Sequence, residues 1–217
     1  MKLYEGKPMS ERQLRYMKVK QGMDTVLSGL GLLFLSPVFL VIALWIKWEE
    51  GLAAPVFFTQ KRVGIGKSHF TLYKFRSMRL DTPHDMPTHL LADPEQYLTK
   101  AGRFLRKTSL DELPQLWNIF RGDMSIIGPR PALWNQFDLI AERDKYGAND
   151  VKPGLTGWAQ IHGRDELEIP VKAKLDGYYV KKLGLGIDFV TFCGTIGAVL
   201  KSDGVVEGGT GAMKDRK

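Results

Sequence analysis

The longest pattern in the chain is an apolar run at residues 25–46 with no ionisable side chain. As one straight helix of 22 residues it would cover a ~30 Å hydrocarbon core at about 1.5 Å per residue. Pro37 lies near its middle, lacks a backbone N–H and so leaves the Leu33 carbonyl without its helical partner; the Ser36 hydroxyl beside it can compensate. A bend at Ser36-Pro37 is therefore expected. Each half of roughly 10–12 residues would reach about 15–18 Å, enough to enter one leaflet and return. The run exceeds the ~7–15 residues of a signal-peptide core, and Glu49 and Glu50 follow where a cleavage site belongs, so the segment reads as retained.

Past this run the periodicity changes. Strand-like segments at 56–60 and 70–75, joined through Gly64-Ile65-Gly66-Lys67, predict a β-hairpin. Helical spacing follows over 95–107, over 111–120, and over 132–146, where Leu133, Phe137, Ile140 and Ala141 share a face. Phe189, Phe192, Cys193, Ile196, Val199 and Leu200 form a last apolar stripe, too short to span a bilayer. It reads as a core face, with an interfacial helix as the alternative. The fold class expected is α+β, mostly helical. Residues 1–50 hold a basic N-terminus and a re-entrant membrane helix hairpin, and 51–203 a small cytosolic domain with the β-hairpin, amphipathic or interfacial helices and the candidate chemistry. Glycine-rich, charged residues 204–217 form a flexible tail.

Composition bounds what such a chain does. A length of 217 residues with 44% hydrophobic content suffices for one core plus an appendage. The net charge of +7 and a pI near 9.4 imply an anionic partner: nucleic acid, membrane lipid or a phosphorylated substrate. Cys193 is the only cysteine, so no internal disulfide forms and a reducing, cytosol-facing body follows. Six basic residues precede the apolar run (Lys2, Lys7, Arg12, Arg15, Lys18, Lys20) and six follow Glu49/Glu50 (Lys61, Arg62, Lys67, Lys74, Arg76, Arg79). Positive charge marks the cytoplasmic side, so both ends are expected there; a Pro-kinked spanning helix is the alternative.

Asp111 and Glu112 are the leading chemical candidates, because two carboxylates open a helical pattern with Arg103, Arg106 and Lys107 just upstream. A helix N-terminus favours carboxylates in their ionised form and attracts phosphate. The competing reading is structural: Ser109-x-x-Glu112 is a capping box, or Asp111 is itself the N-cap with Pro114 in the first turn. Gly66-Lys67-Ser68 resembles the end of a phosphate-binding loop, but position 61 is lysine where that motif needs glycine. Asp81, His84, Asp85 and His89 match no metal-site spacing and read as a solvated loop.

Four motifs in order carry a resemblance: Lys74-Phe75-Arg76-Ser77-Met78; Ser109-Leu110-Asp111-Glu112-Leu113-Pro114-Gln115-Leu116; Gly122-Asp123-Met124-Ser125-Ile126-Ile127-Gly128-Pro129-Arg130-Pro131; and Lys152-Pro153-Gly154-Leu155-Thr156-Gly157-Trp158-Ala159-Gln160. Together they resemble the bacterial sugar transferases, the monotopic polyprenyl-phosphate phosphoglycosyl transferases, in their minimal form. The resemblance implies transfer of a sugar 1-phosphate from a UDP-sugar to polyprenyl (undecaprenyl) phosphate with release of UMP, the first step of surface glycan or glycoconjugate assembly. It implies a monotopic protein of the bacterial inner membrane, with its catalytic domain on the cytoplasmic face, and Mg²⁺ as cofactor. Asp111 is implied as the nucleophile forming a phosphosugar-aspartyl intermediate. Glu112 is assigned to the metal, with Asp111 as a second ligand, or to activation of the lipid phosphate. Ser36-Pro37 matches the re-entrant break. Lys74, Arg76, Arg106, Pro129, Arg130, Pro131, Gln160, Arg164 and Asp176 match positions around the phosphates and nucleotide. After Gln160 the chain departs from the family's Asn-Gly-Arg-Asn with His162-Gly163-Arg164-Asp165, which leaves the sugar open.

Elementary chemistry agrees with the assignment. A diphosphate repels any anionic nucleophile until cations such as Arg106 and Arg130 neutralise it, and a carboxylate nucleophile divides the transfer into two steps. Adjacent side chains on a helix diverge by ~100°, which argues against a glycosidase pair. The rivals are a non-catalytic membrane-surface adaptor that binds anionic lipid and a nucleic-acid binder resting on pI and on Phe70, Tyr73 and Phe75. Neither explains Asp111, Glu112 and Arg130 together, so UDP-sugar, polyprenyl phosphate and membrane lipid are the partners expected, with no nucleic acid. A homodimer stays open.

Overall fold

Ser10 begins the first helix with a capping box: its hydroxyl accepts the Gln13 N–H at 3.3 Å, and the Gln13 side chain accepts the Ser10 N–H at 3.0 Å. The computed structural model describes residues 8–82, 94–163 and 167–201. Helix α1 (Glu11–Phe34) runs to Leu35, and α2 (Ser36–Glu50) continues at an angle of 59°. The chemistry expected at Pro37 is visible here, since the Ser36 hydroxyl donates to the Leu33 carbonyl at 2.8 Å. The polarity of α1 is inverted relative to a helix of a soluble protein. Its buried residues are Lys20, Asp24 and Ser28, while Val26, Leu30, Leu33 and Phe34 are exposed.

Strands β1 (Phe57–Val63) and β2 (His69–Phe75) form the expected antiparallel hairpin, with Phe57 opposite Phe75. The connection passes through Gly66 at φ 60°, a conformation that glycine adopts without strain. Phe75 is buried with Ile42 and Ile46 of α2 and with Leu105 of α3 (Lys100–Lys107), so one cluster joins the bent pair, the sheet and α3. Helix α4 (Gln115–Arg121) is pinned to β2 by the fully buried Asn118, which donates to the Thr71 carbonyl at 2.7 Å and accepts the Tyr73 N–H at 3.0 Å.

A second, parallel pair joins β3 (Ser125–Ile127) to β4 (Gly154–Thr156). Helices α5 (Phe137–Asp144), α6 (Trp158–Ile161), α7 (Ile169–Lys181) and α8 (Leu185–Lys201) complete the body. Its core gathers Ile127, Val151, Tyr179, Val180 and Ile187, with Tyr16 and Met17 of α1 against it. A buried polar cluster ties α1 to α8: Lys20 Nζ lies 2.7 Å from Asp188 Oδ2, which also accepts the Tyr16 hydroxyl at 2.6 Å, and the Tyr179 hydroxyl donates to Asp188 Oδ1 at 2.8 Å.

The α+β, mostly helical class expected is the one observed. Three helices are shorter than their periodicity suggests, among them 111–120, where the α-helix starts only at Gln115. Residues 95–107 divide into a 3-10 turn (Pro94–Tyr97) and α3, and 132–146 shrinks to α5 because Leu133 is taken up in a bridge to Arg62 of β1. The core reading of the last apolar stripe is corrected. Among the described side chains of α8 the buried ones are Ile187, Asp188 and Thr191, whereas Phe189, Phe192, Cys193 and Ile196 are exposed; the side chains of Val199 and Leu200 lie outside those described.

Candidate active site

Asp111 and Glu112 sit in a 3-10 turn (Leu110–Glu112) between α3 and α4. Neither capping reading survives. Ser109 is left-handed at φ 57° with no side-chain cap bond, and Pro114 stands at the N-cap position of α4. Leu110 and Leu113 pack on the cluster of Phe75 and Leu105, which holds the turn against β2. Because neighbours on a strand point to opposite faces, burial of Phe75 turns Lys74 the other way.

Lys74 Nζ lies 2.7 Å from Glu112 Oε1 and 3.7 Å from Asp111 Oδ2, so one cation bridges both carboxylates. Arg130 adds a contact of 2.9 Å to the same Glu112 oxygen. It projects from the Pro129-Arg130-Pro131 segment after β3, where the Pro129 carbonyl accepts the Gly154 N–H at 2.9 Å and the Pro131 carbonyl accepts Arg62 at 3.0 Å. Arg106, near the end of α3, donates its Nε–H to the Ser77 hydroxyl at 3.0 Å.

This environment pushes the two carboxyls apart. Burial raises Asp111 above the usual carboxylate range, with the Glu112 charge adding to the rise, and Lys74, Arg106 and Arg130 oppose it only in part. Burial also disfavours the Glu112 anion, yet Arg130 and Lys74, as charges and as hydrogen-bond donors, outweigh it and hold Glu112 well below the usual range. The result is one fixed anion beside one poorly stabilised carboxylate, all with Lys74 in common.

The remaining expected residues lie elsewhere. Arg76 donates to the Pro55 carbonyl at 2.9 Å, near the exit of α2. Asp176 is 1% exposed and held by Arg143 at 2.6 Å, inside the α5–α7 packing. Gln160, on α6, has a buried Oε1 without a hydrogen-bond partner among the described residues. Arg164 lies outside the described residues, as do His84, Asp85, His89 and the tail. Asp81 pairs with Arg79 at 2.8 Å. Ser77 and Asn118 received no role from sequence, although the first stands inside a quoted motif; their hydrogen bonds depend on non-local partners.

The bacterial sugar transferase family model matches residues 15–202. The chain is 45% identical over 154 residues to an uncharacterized sugar transferase of Bacillus subtilis, EpsL, covering 71% of this chain and 74% of that protein. It is 37% identical over 195 residues to the UDP-N-acetylgalactosamine-undecaprenyl-phosphate N-acetylgalactosaminephosphotransferase of Aeromonas hydrophila, covering 87% of this chain and 45% of the relative. Against the undecaprenyl-phosphate galactose phosphotransferase of Salmonella typhimurium it is 34% identical over 210 residues, covering 90% and 43%. The chain thus spans under half the length of these two relatives. A match of this extent, over the motifs that build the Asp111–Glu112 site, makes the chain a member of the bacterial sugar transferase family.

Proposed function

We propose that this chain transfers a sugar 1-phosphate from a UDP-sugar to a polyprenyl phosphate, releasing UMP, with Asp111 as nucleophile. The observation that carries the reading is the bridging of Asp111 and Glu112 by Lys74, with Arg130 on Glu112 and Arg106 near Asp111. Two carboxyls whose environments drive their protonation apart have different roles. In the first step an Asp111 carboxylate oxygen attacks the sugar-bearing phosphorus. The bond from that phosphorus to the bridging oxygen breaks, and UMP leaves with the electron pair. In the second step an oxygen of the lipid phosphate attacks the same phosphorus and displaces the Asp111 carboxylate. Glu112, Lys74, Arg106 and Arg130 form the charge frame, which is in place before either step.

Mg²⁺ belongs to the same proposal. Among the described residues no cluster of three or more His, Cys, Asp or Glu side chains could cage a metal. Two carboxylates nevertheless fit this ion, which is commonly held by one or two carboxylates together with substrate phosphate oxygens. Glu112 and Asp111 would hold it, and when bound it supplies neutralising charge to the diphosphate.

No single described helix is long and apolar enough to cross a membrane, but the bent α1–α2 pair passes that test together. Its outward apolar face and its 59° bend support a re-entrant hairpin in the membrane, with both ends on the cytoplasmic side. The exposed apolar side chains of α8 are suited to the same interface.

The test uses the nanodisc-embedded chain with UDP-N-acetylgalactosamine, UDP-galactose or UDP-glucose and Mg²⁺, without lipid acceptor. Wild type is expected to release UMP in a stoichiometric burst and to gain the mass of one sugar phosphate on the peptide containing Asp111. Asp111→Asn is expected to fold, bind the UDP-sugar and give neither signal. A fully active Asp111→Asn would end the reading.

A further inference from the structure

Glu49 enters the sequence as part of an acidic interruption in a basic flank, yet its carboxylate has specific partners. One oxygen accepts the Lys100 N–H at 2.6 Å and the other the Ala101 N–H at 2.8 Å. These are the first two residues of α3, whose N–H groups have no partner within the helix, and a carboxylate there also meets the positive end of the helix dipole. Helix α3 already has an N-cap, because the Thr99 hydroxyl accepts the Gly102 N–H at 2.8 Å. Glu49 therefore adds a tie between the last turn of α2 and the first turn of α3.

What α3 carries gives that tie its meaning. A Cβ on Gly102 would stand 1.9 Å from the Ser77 carbonyl oxygen, so α3 lies directly on the backbone that follows β2. Leu105 is fully buried against Ile42 and Ile46 of α2, and Arg106 reaches the Ser77 hydroxyl. The helix then ends at Lys107, just before the turn that holds Asp111. A small shift of α3 along its axis would move Arg106 relative to Asp111 and disturb the turn that carries Asp111, which Leu110 and Leu113 hold against Phe75. The Glu49 bonds, the Leu105 contacts and the Trp45–Phe104 ring contact, with centroids 5.5 Å apart, link the bent pair to α3 and oppose such a shift.

We propose that Glu49 is a positioning residue for the transfer site: by locking the start of α3 to the end of α2, it sets where Arg106 stands relative to Asp111. The proposal rests on the function proposed above and extends it from the site to the helix pair.

The experiment compares wild type, Glu49→Gln and Glu49→Ala in nanodiscs, using whichever of the three UDP-sugars wild type consumes. A structural cap alone would lower the amplitude of the UMP burst, which counts folded enzyme, and leave its rate constant unchanged. Positioning lowers the rate constant itself, by up to about 10²-fold for a group misplaced by about 1 Å. In an Arg106→Ala background the Glu49 substitutions are expected to slow the burst no further, because the group they position is gone. Hydrogen exchange, which needs no activity, is expected to rise in Glu49→Gln at residues 108–113 as well as at 100–103. An unchanged rate constant, full additivity with Arg106→Ala, or exchange confined to 100–103 would overturn the proposal. Absence of any burst in wild type would count against the proposed chemistry, while the exchange arm still decides the role of Glu49.

Discussion

Lys74 shares its charge between two carboxyls that respond oppositely to pH. Glu112 is held below the usual carboxylate range, so the unfolded chain takes up that proton more readily than the native one. Its contribution to stability is fully present above the unfolded value of ~4.3 and is lost as pH falls through the folded value. Thermal melts from about pH 5 down to pH 3 should therefore fall less steeply in Glu112→Gln than in wild type. Asp111 is raised, so its ionised form costs stability once pH climbs above the unfolded value of ~3.9 and through its folded value. Asp111→Asn is accordingly expected to melt above wild type at neutral pH, by roughly 2–4 °C for each ~1 kcal/mol recovered. A capping role predicts the opposite sign. Arg130→Ala should slow turnover by at least ~10²-fold, the scale of a lost transition-state donor, because Glu112 would keep Lys74 as its one remaining charged contact of the two described.

At the level of elements, α3 and the α1–α2 bend carry the sharpest tests. Gly102→Ala meets backbone, not a flexible side chain, at 1.9 Å. Helix α3 must move, at a cost of about 1–3 kcal/mol, and a lower melting midpoint together with lower turnover is expected. Pro37→Ala restores an N–H opposite the Leu33 carbonyl, which the Ser36 hydroxyl now occupies. A straighter pair and reduced activity should follow. In a Cys193→Ser background, cysteines placed at the two ends of the pair would stay unreactive to an impermeant reagent outside intact cells. Labelling of either end would overturn the re-entrant topology.

Across the whole molecule, the Lys20–Asp188 pair fastens the N-terminal helix to the C-terminal one. Its side chains are 10% and 9% exposed, so Asp188→Ala would leave the buried ammonium with Asp24 at 3.9 Å in place of the 2.7 Å contact and take the acceptor from the Tyr16 hydroxyl, and is expected to cost about 3–5 kcal/mol, read as a large fall in melting midpoint. The same pair alters the meaning of the flanking charge. Lys20 and Lys74 belong to buried networks, so the basic count on each side of the apolar run includes residues whose first task is internal.

Local covalent facts decided what the sequence could determine alone. Pro37 has no N–H, so a bend followed whatever the surroundings, and alternation around a glycine-bearing turn fixed the β-hairpin. Asp111, Glu112 and Arg130 entered as candidates through motifs that resemble the family's, and the fold brings Arg130 to Glu112. Partnership was not. Glu112 meets Lys74 across 38 residues, Glu49 meets α3 across 51, and Lys20 meets Asp188 across 168. Periodicity on α8 revealed an apolar stripe without saying what would cover it, and the fold turned Ile187 and Thr191 inward instead. Ser109 and Glu112 had the residue types of a capping box, but packing of Leu110 and Leu113 drew the segment into a 3-10 turn with no cap bond. Short-range sterics and hydrogen bonding are written in neighbouring residues. The burial and pairing of charge depend on which distant surfaces meet, and that was settled only when the chain packed.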